Sequence, residues 1–311
     1  MTILVETLRP LFAPGVMSAR ARNSTSFHSL LCDSKIGFFV NHGSGWWDLD
    51  FGEKDRLAGY LAYDSNRMGG VAFQSFETAR VGMKDRLRVP WALIQAYYAA
   101  YYAGHAVLCI FGRNSKQLDS SVVSYLNRIF KAQANPPPQL AAGLHLIAAD
   151  VGGTRITLSP LPAGKSHQRF WELFHSEIRR VSNDVLRLNA PQQDTQDTSV
   201  KLAALLSSME GPQQHKGWLS QVRNEVQYKH ERDVWWFTKK TRDPNANALS
   251  GIMNTWRADP MDIELSSLPD ELTRFIASCT FLVSLCRSVL EEVGKHGKFQ
   301  PPALAFPSLR K

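Results

Sequence analysis

The chain has 311 residues, of which 44% are hydrophobic and 21% are charged, and its formal net charge is +8. This composition excludes an intrinsically disordered chain, because a disordered chain has too few apolar residues to form a core. The length allows one large domain or two ordinary ones. The excess of positive charge favours an anionic partner such as nucleic acid, although it carries no information about the fold.

The four cysteines form no CxxC pair and are scattered along the chain. This distribution fits neither a disulfide framework nor a zinc site, and it favours a reducing compartment. The first residues, MTILVETLRPLFAPG, lack the charged-then-apolar order of a signal peptide, because Glu6 and Arg9 interrupt the apolar run. We therefore predict a cytoplasmic protein.

Residues 1–50 show no clear periodicity and are predicted to form a region of unclear structure. Helical patterning begins next, so residues 51–136 are interpreted as the first helical part of a bundle. Its strongest segment is WALIQAYYAAYYAGHAVLCIF, residues 91–111, which follows Pro90, a residue suited to the first turn of a helix. The segment is long enough to cross a membrane, but four tyrosines lie in its middle rather than at its ends. We therefore predict a buried helix and no membrane contact.

Residues 137–163 carry a different pattern, in which GLHLIAAD and RITLSPL flank a glycine turn. This arrangement predicts a β-hairpin. The turn, DVGGT at residues 150–154, resembles the first phosphate-binding turn of the sugar-kinase, Hsp70 and actin superfamily, where glycine amides approach a phosphate. That fold also needs five-stranded sheets and a second phosphate motif, whereas the rest of this chain is patterned as helix. We predict a simple hairpin turn, and a phosphotransferase is the least favoured alternative.

Residues 164–294 are predicted to form the second helical part, and residues 295–311 a basic, proline-containing tail that is extended or mobile. The polar stretch 189–199 reads as a loop. Helices are expected at about 166–188, 199–209, 213–236, 246–257 and 269–293. AGKS, residues 163–166, fails as a P-loop because position 159 is serine where the motif needs glycine.

No metal or cofactor site is predicted, because the nine histidines show no metal-ligand spacing. His105 and His145 lie in apolar surroundings and are interpreted as core residues. The absence of GxSxG from the sequence removes the usual esterase signal.

The segment ERDVWWFTKKTR, residues 231–242, interleaves aromatic and basic side chains. Aromatic faces beside cations suit the stacking of single-stranded nucleic acid. We predict RNA contacts from Arg232, Trp235, Lys239 and Lys240. The alternative is that the tryptophans are core and the lysines a solvated rim.

The segment QVRNEVQYKH, residues 221–230, places Arg223 and His230 seven positions apart. On an α-helix this spacing brings the two side chains to within about 20° of each other and roughly 10 Å apart along the axis. Both positions lie at the edge of the apolar stripe that contains Val222 and Val226. Polar groups at such an edge line a groove or a subunit interface, although the alternative is the surface of a helix that only packs a bundle.

Two stretches of the sequence resemble HEPN domains, all-helical bundles found in many prokaryotic toxins and antiphage nucleases. Arg223-Asn224-x5-His230 is similar to the family's Arg-Asn pair followed by histidine, and QAYYAAYYAGHAVL, residues 95–108, is similar to its tyrosine- and alanine-rich helix. The resemblance implies a mainly α fold, a HEPN-like helical bundle, here with a small β-hairpin insertion. More than a hundred residues separate the two stretches, whereas small HEPN domains are more compact.

The resemblance implies a metal-independent endoribonuclease, a toxin or antiphage defence effector that works as a homodimer with a composite active site. His230 would transfer the protons and Arg223 would hold the scissile phosphate. Asn224 would orient the pair or hydrogen-bond the phosphate. The products would carry a 2′,3′-cyclic phosphate and a 5′-hydroxyl. Tyr228 and Lys229 are further candidates for RNA contact.

The alternative within this resemblance is a non-catalytic HEPN-like dimer that serves as a scaffold or RNA-binding subunit of a defence or toxin–antitoxin complex. A regulated toxin also needs a control element. We expect residues 1–50 or the tail to contact a regulatory partner such as an antitoxin.

Overall fold

The computed structural model describes residues 2–19, 26–32, 40–43, 46–52, 54–133, 139–150, 152–235, 245–298 and 300–307. Within these ranges the protein is mainly helical and carries one antiparallel sheet. The α-helices are α1 (Ile3–Leu8), α2 (Phe27–Cys32), α3 (Lys54–Gly82), α4 (Val89–Ile110), α5 (Ser120–Gln133), α6 (Ser166–Val185), α7 (Gln192–Met209), α8 (Trp218–Asn224), α9 (Ala246–Asn254) and α10 (Glu271–His296). The strands are β1 (Val40–Gly43), β2 (Trp46–Asp50), β3 (Arg113–Leu118), β4 (Gly143–Ala149) and β5 (Arg155–Pro160).

The centre of the helical part is the pair α3 and α4, which pack against each other and against α10. α4 begins as predicted, with Pro90 in its first turn, and its alanines are buried. Gly104 lets α6 approach closely, because a Cβ atom at that position would lie 3.0 Å from Phe170 Cζ. The prediction of a buried tyrosine- and alanine-rich helix is confirmed.

The C-terminal helix α10 is a second buried core helix. Its N-cap, Asp270, accepts a hydrogen bond from the Thr273 amide at 2.9 Å, and the helix ends before Gly297. By length and composition α10 could cross a membrane, but 83% of its most apolar window is buried inside the protein. Its apolar residues are therefore core residues.

The predicted hairpin is present, but it is part of a larger sheet rather than a separate insertion. β4 and β5 form the hairpin, and the strand order is β1-β2-β5-β4-β3. The N-terminal region contributes β2, in which Asp48 pairs with Thr157 of β5. Asp48 Oδ1 accepts a hydrogen bond from the Thr157 hydroxyl at 2.6 Å. β3, RNSKQL, pairs with β4 although its polar sequence does not read as a strand, since its partner supplies the backbone hydrogen bonds.

The glycine turn of the hairpin has a structural explanation. Asp150 Oδ1 accepts hydrogen bonds from the amides of Thr154 and Arg155, at 3.1 and 3.0 Å. Gly153 has a φ of +72°, and a Cβ atom there would lie 3.0 Å from Pro14. These contacts fit the prediction of a hairpin turn at DVGGT.

Helix α7 and the C-terminal tail also differ from the sequence prediction. α7 begins at Gln192, inside the stretch predicted to be a loop, because Thr195 and Thr198 turn inward and are buried while the glutamines stay exposed. The tail is not extended throughout: a 3-10 turn at Pro302–Ala305 packs on α3, and the Ala303 amide donates to Asn66 Oδ1 at 2.8 Å. Residues 302–305 are therefore docked on the helical part.

Candidate functional site

The segment that carries the Arg-Asn-His motif is anchored by the apolar side of α8. Trp218, Leu219 and Val222 are fully buried there. The Trp218 ring lies 4.1 Å from the Arg274 guanidinium carbon, which fixes the start of the helix against α10. The apolar stripe that the sequence predicts is therefore present.

The regular α-helix ends at Asn224, much earlier than predicted. A π-helical turn, Glu225–Lys229, follows, and the amide of His230 donates to the Glu225 carbonyl to close it. His230 itself has a left-handed backbone, with φ +54°. Because a π-turn winds more widely than an α-turn, the expected angle between Arg223 and His230 on one α-helix does not apply.

Arg223 is buried, with an exposed fraction of only 6%, and it lies among aromatic rings. Its guanidinium carbon is 5.1 Å from the ring centre of Tyr97, 5.6 Å from Tyr98 and 5.6 Å from Tyr228. Nη1 lies 3.4 Å from the oxygens of Gln227 and Tyr228, which is long for a hydrogen bond. Nε has no hydrogen-bond partner in the described part of the chain. The arginine is held mainly by cation–π contacts.

A surface hollow of about 510 Å³ opens over this arginine. We call it the Arg223 groove, and its lining residues are Lys165, Ser166, His167, Ser220, Arg223, Asn224, Tyr228 and Lys229. Three of these eight side chains are Lys or Arg and none is acidic. The Lys229 ammonium is 3.7 Å from Glu231, which partly offsets one of the charges. The groove is suited to an anionic ligand.

His167 is a groove residue that the sequence analysis missed. Its Nδ1 lies 2.9 Å from the Tyr97 hydroxyl, which accepts a hydrogen bond from Trp171 Nε1 at 3.1 Å. Burial, and then the charge of Arg223, lower the pKa of His167 to about 4. The imidazole is therefore neutral at neutral pH.

No local signal in AGKSHQ singles out His167. Lys165 and Ser166 drew notice only as the end of a failed P-loop motif. The packing of α6 on α8 brings these residues to Arg223, and that packing depends on residues far apart in sequence.

Three predicted residues line the Arg223 groove beside the arginine. Asn224 is half-buried, Tyr228 is 65% exposed and Lys229 is exposed. His230 is exposed and lies outside the lining, with its ring 5.4 Å from that of Trp235 in an edge-to-face contact. The structure therefore brings Arg223 and Asn224 to one groove and leaves His230 outside its lining.

Two other residues predicted to contact RNA, Arg232 and Trp235, contact neighbouring parts of the protein in the structure. Arg232 binds Glu225 Oε2 at 2.7 Å and also pairs with Glu271. Trp235 Nε1 donates to the Val226 carbonyl at 2.7 Å, and its ring packs edge-on against Trp91. Lys239 and Lys240 lie outside the described residues.

A second hollow of about 250 Å³ continues the groove beyond Asn224. The two hollows share Lys165, Ser220, Asn224 and Lys229. The second one is also lined by Gln168, His215, Gly217 and Gln221. Because they share these residues, the two hollows adjoin and form a channel that carries the positive charges of Lys165, Arg223 and Lys229.

Comparison with protein-family models, with curated proteins and with solved structures gives no match for this chain. In the described part of the chain, no three His, Cys, Asp or Glu side chains are grouped so that they could hold a metal ion.

Proposed function

We propose that this protein is a metal-independent endoribonuclease with a HEPN-like helical bundle, which binds RNA in the Arg223 groove. The observation that carries the proposal is the state of Arg223. Arg223 is a buried cation that is held by neutral aromatic rings. It lies in a groove whose lining residues include no acid. A charge buried in this way without a carboxylate partner is costly, and an anionic ligand such as an RNA phosphate offsets that cost.

The proposed reaction needs two proton transfers and no cofactor. The ribose 2′-oxygen attacks the phosphorus and gives up its proton to a base, while the bond from phosphorus to the 5′-oxygen breaks and that oxygen takes up a proton. The products are a 2′,3′-cyclic phosphate and a 5′-hydroxyl. Arg223 holds the phosphate and stabilises the charge that builds up on it in the transition state.

His230 is the proposed proton carrier, because an imidazole can both accept and donate a proton and is the most frequent general acid or base in enzymes. Its ring is exposed next to the groove rather than in the groove's lining. A homodimer in which two motifs face one cleft would bring His230 of one protomer to the phosphate held by the other. Asn224, which lines the groove, would hydrogen-bond the same phosphate.

The biological role that fits this activity is a toxin or antiphage effector whose cleavage of RNA is restrained by a regulatory partner. The docked tail at Pro302–Ala305 and the N-terminal strands are the segments we expect such a partner to contact.

One observation favours a second candidate, a non-catalytic RNA-binding subunit. The histidine beside Arg223 in the same chain is His167, which burial keeps neutral and which is a poor proton donor at neutral pH. In that case the groove binds RNA and does not cleave it.

The test is incubation of the purified protein with end-labelled RNA in EDTA. Arg223→Gln and His230→Gly are compared with the wild type, and His28→Ala, at an exposed histidine on α2, is the control. Glycine suits position 230 because the backbone there is left-handed, so the substitution removes the imidazole without strain. We expect both variants to lose cleavage by roughly 100-fold or more, and His28→Ala to retain it.

The ribonuclease is supported if the wild type and His28→Ala produce cyclic-phosphate ends and the two site variants do not. RNA binding without cleavage in any of the proteins would favour the non-catalytic candidate. Cleavage that survives in both site variants would refute the assignment of Arg223 and His230.

A further inference from the structure

We infer that the first turn of α6, together with Lys165 and Arg223, forms a phosphate-binding site in the groove, and that the phosphodiester of RNA is its ligand. The inference relies on the proposed function only for RNA as the source of the phosphate.

The first support is the position and state of the α6 N-terminus. α6 is a helix of 20 residues, and its N-cap, Lys165, makes no side-chain capping hydrogen bond. The first bond of the helical ladder runs from the Arg169 amide to the Lys165 carbonyl, at 3.0 Å. The amides of Ser166, His167 and Gln168 precede that bond and are directed out of the helix end.

This helix end opens into the groove, because Lys165, Ser166 and His167 all line it. Amides at the N-terminus of a long helix carry partial positive charge and bind phosphate well. The Lys165 ammonium adds a full charge at the same place.

The second support is independent of α6 and comes from the facing element, α8. Arg223 lines the same groove and has an exposed fraction of only 6%. Its Nε has no hydrogen-bond partner among the described residues. Its Nη1 contacts to neutral oxygens are long, at 3.4 Å. A buried guanidinium with this little compensation has unused donor capacity for an anion.

His167 fits between these two elements as a neutral donor. The Tyr97 hydroxyl accepts from Trp171, which favours donation of its own proton to His167 Nδ1. With Nδ1 as the acceptor, the ring proton of the neutral imidazole is on Nε2, which would donate it to a phosphate oxygen in the groove.

The second hollow then accommodates the neighbouring nucleotide. It continues from Lys165 and Asn224 and is lined by side chains that offer polar groups, Gln168, His215 and Gln221. A strand whose phosphate sits at the α6 N-terminus would therefore extend along the channel past Asn224.

The test uses a matched pair of substitutions at the first helical position. Ser166→Pro removes the amide proton and the hydroxyl, whereas Ser166→Ala removes only the hydroxyl. Proline is well suited to this position, and the preceding residue, Lys165, already has the extended backbone that proline requires, with φ −70° and ψ 120°. Lys165→Gln, with Lys131→Gln on α5 as its control, tests the charge.

The probe is inorganic phosphate, titrated into the full chain while amide chemical shifts are recorded by NMR. We expect the amides of residues 166–168 to shift and saturate. Ser166→Pro is expected to bind phosphate roughly tenfold more weakly than Ser166→Ala, because one hydrogen bond to a charged group is lost. Lys165→Gln is expected to weaken binding and Lys131→Gln to leave it unchanged.

Equal phosphate affinity in Ser166→Pro and Ser166→Ala, or wild-type amides at 166–168 that do not respond, would overturn the inference. If Ser166→Pro does not fold, the wild-type shifts and the Lys165→Gln pair still decide it. A non-cleavable 2′-O-methyl oligonucleotide that competes with phosphate supports RNA as the ligand, and its failure to compete overturns that part.

The two proposals fail separately. Phosphate binding at α6 without any RNA cleavage would refute the ribonuclease and leave the phosphate site in place. Cleavage that persists without phosphate binding at residues 166–168 would do the reverse.

Discussion

Among the described residues Arg223 contacts three aromatic rings and no carboxylate, and this determines what it can do. Such a contact is worth about 0.5–1 kcal/mol at an exposed ring and about 2 kcal/mol when it is shielded from water, so the contact with the exposed Tyr228 contributes less than the one with the buried Tyr97. Tyr97 and Tyr98 come from α4 and Tyr228 from the π-helical turn, so two elements fix the guanidinium. A carboxylate would have fixed it as well, but would also have neutralised the charge that a phosphate needs.

A second buried residue, His105, should make the protein sensitive to acid. Its Nδ1 is 3.0 Å from Asn114 Oδ1 and its ring stacks on Phe170, with ring centres 4.0 Å apart. Burial lowers the pKa of His105 to about 4, opposed by the bond to Asn114, and the charges of Lys116 and Asp64 act in opposite directions.

The sign of the effect follows from the two states. In the unfolded chain histidine titrates near pH 6.5, so between about pH 6.5 and pH 4 the unfolded state binds a proton that the folded state does not. The free energy of unfolding should fall over this window, by on the order of 3 kcal/mol for His105. Urea unfolding at pH 7 and pH 4.5 measures it.

His105→Asn keeps an amide donor for Asn114 and removes the titrating group. The variant should be less stable at pH 7, because asparagine does not replace the ring that stacks on Phe170. It should lose less stability on acidification, because the titrating group is gone. An equal loss in the variant and the wild type would show that other groups cause the acid sensitivity.

Among the elements, α6 supplies one wall of the Arg223 groove, and its contact with α4 supports that wall. Gly104 sits where α6 crosses, and the Phe170 ring fills the space that a side chain would occupy, with Phe170 Cζ 3.0 Å from the position of a Cβ atom. The sequence predicted that α4 is a buried helix. It could not identify α6 as the neighbour, because the pairing of helices depends on contacts between distant parts of the chain.

Gly104→Ala should destabilise the protein by about 1–3 kcal/mol, because the extra methyl group overpacks a rigid aromatic contact. Gly59→Ala in α3 is the matched control, since no atom lies within 4 Å of a Cβ there. It should be neutral or stabilising by up to about 1 kcal/mol, because alanine favours helix over glycine. Chemical unfolding of both variants checks the prediction, and equal effects would contradict it.

The segment that contains α8 and the π-helical turn was predicted only in part from the local sequence. The apolar residues Trp218, Leu219 and Val222 predicted a helix correctly, since their spacing is a local property. The change to a π-turn at Glu225 was not predicted. It accompanies the pairing of Glu225 with Arg232 and the packing of Trp235 on the Val226 carbonyl, which are contacts with the segment that follows.

At the scale of the whole molecule, the sheet connects regions that the sequence divides. Residues 1–50 and the hairpin at 137–163 looked like separate parts, yet β2 and β5 are hydrogen-bonded neighbours. α1 packs on α7 and α10 of the second helical part. A change in the N-terminal region can therefore reach the helices that support the groove.

The proposed homodimer leads to a prediction of complementation. Arg223→Gln and His230→Gly should each be inactive, whereas their heterodimer should regain cleavage, because one protomer supplies the arginine and the other the histidine. Co-expression with two different tags isolates the heterodimer. A purified heterodimer without activity would argue against a composite active site.

The sequence by itself determined the helical class, the hairpin, the buried α4 and the Arg-Asn-His motif, because periodicity, turn residues and spacing are local properties. Tertiary structure alone decided the five-stranded sheet, whose polar strand β3 exists through its partner. It also decided that Arg223 faces His167 and the α6 N-terminus while His230 lies beside Trp235. These neighbours are set by the packing of α4, α6 and α8, which are distant in sequence and meet only in the folded chain.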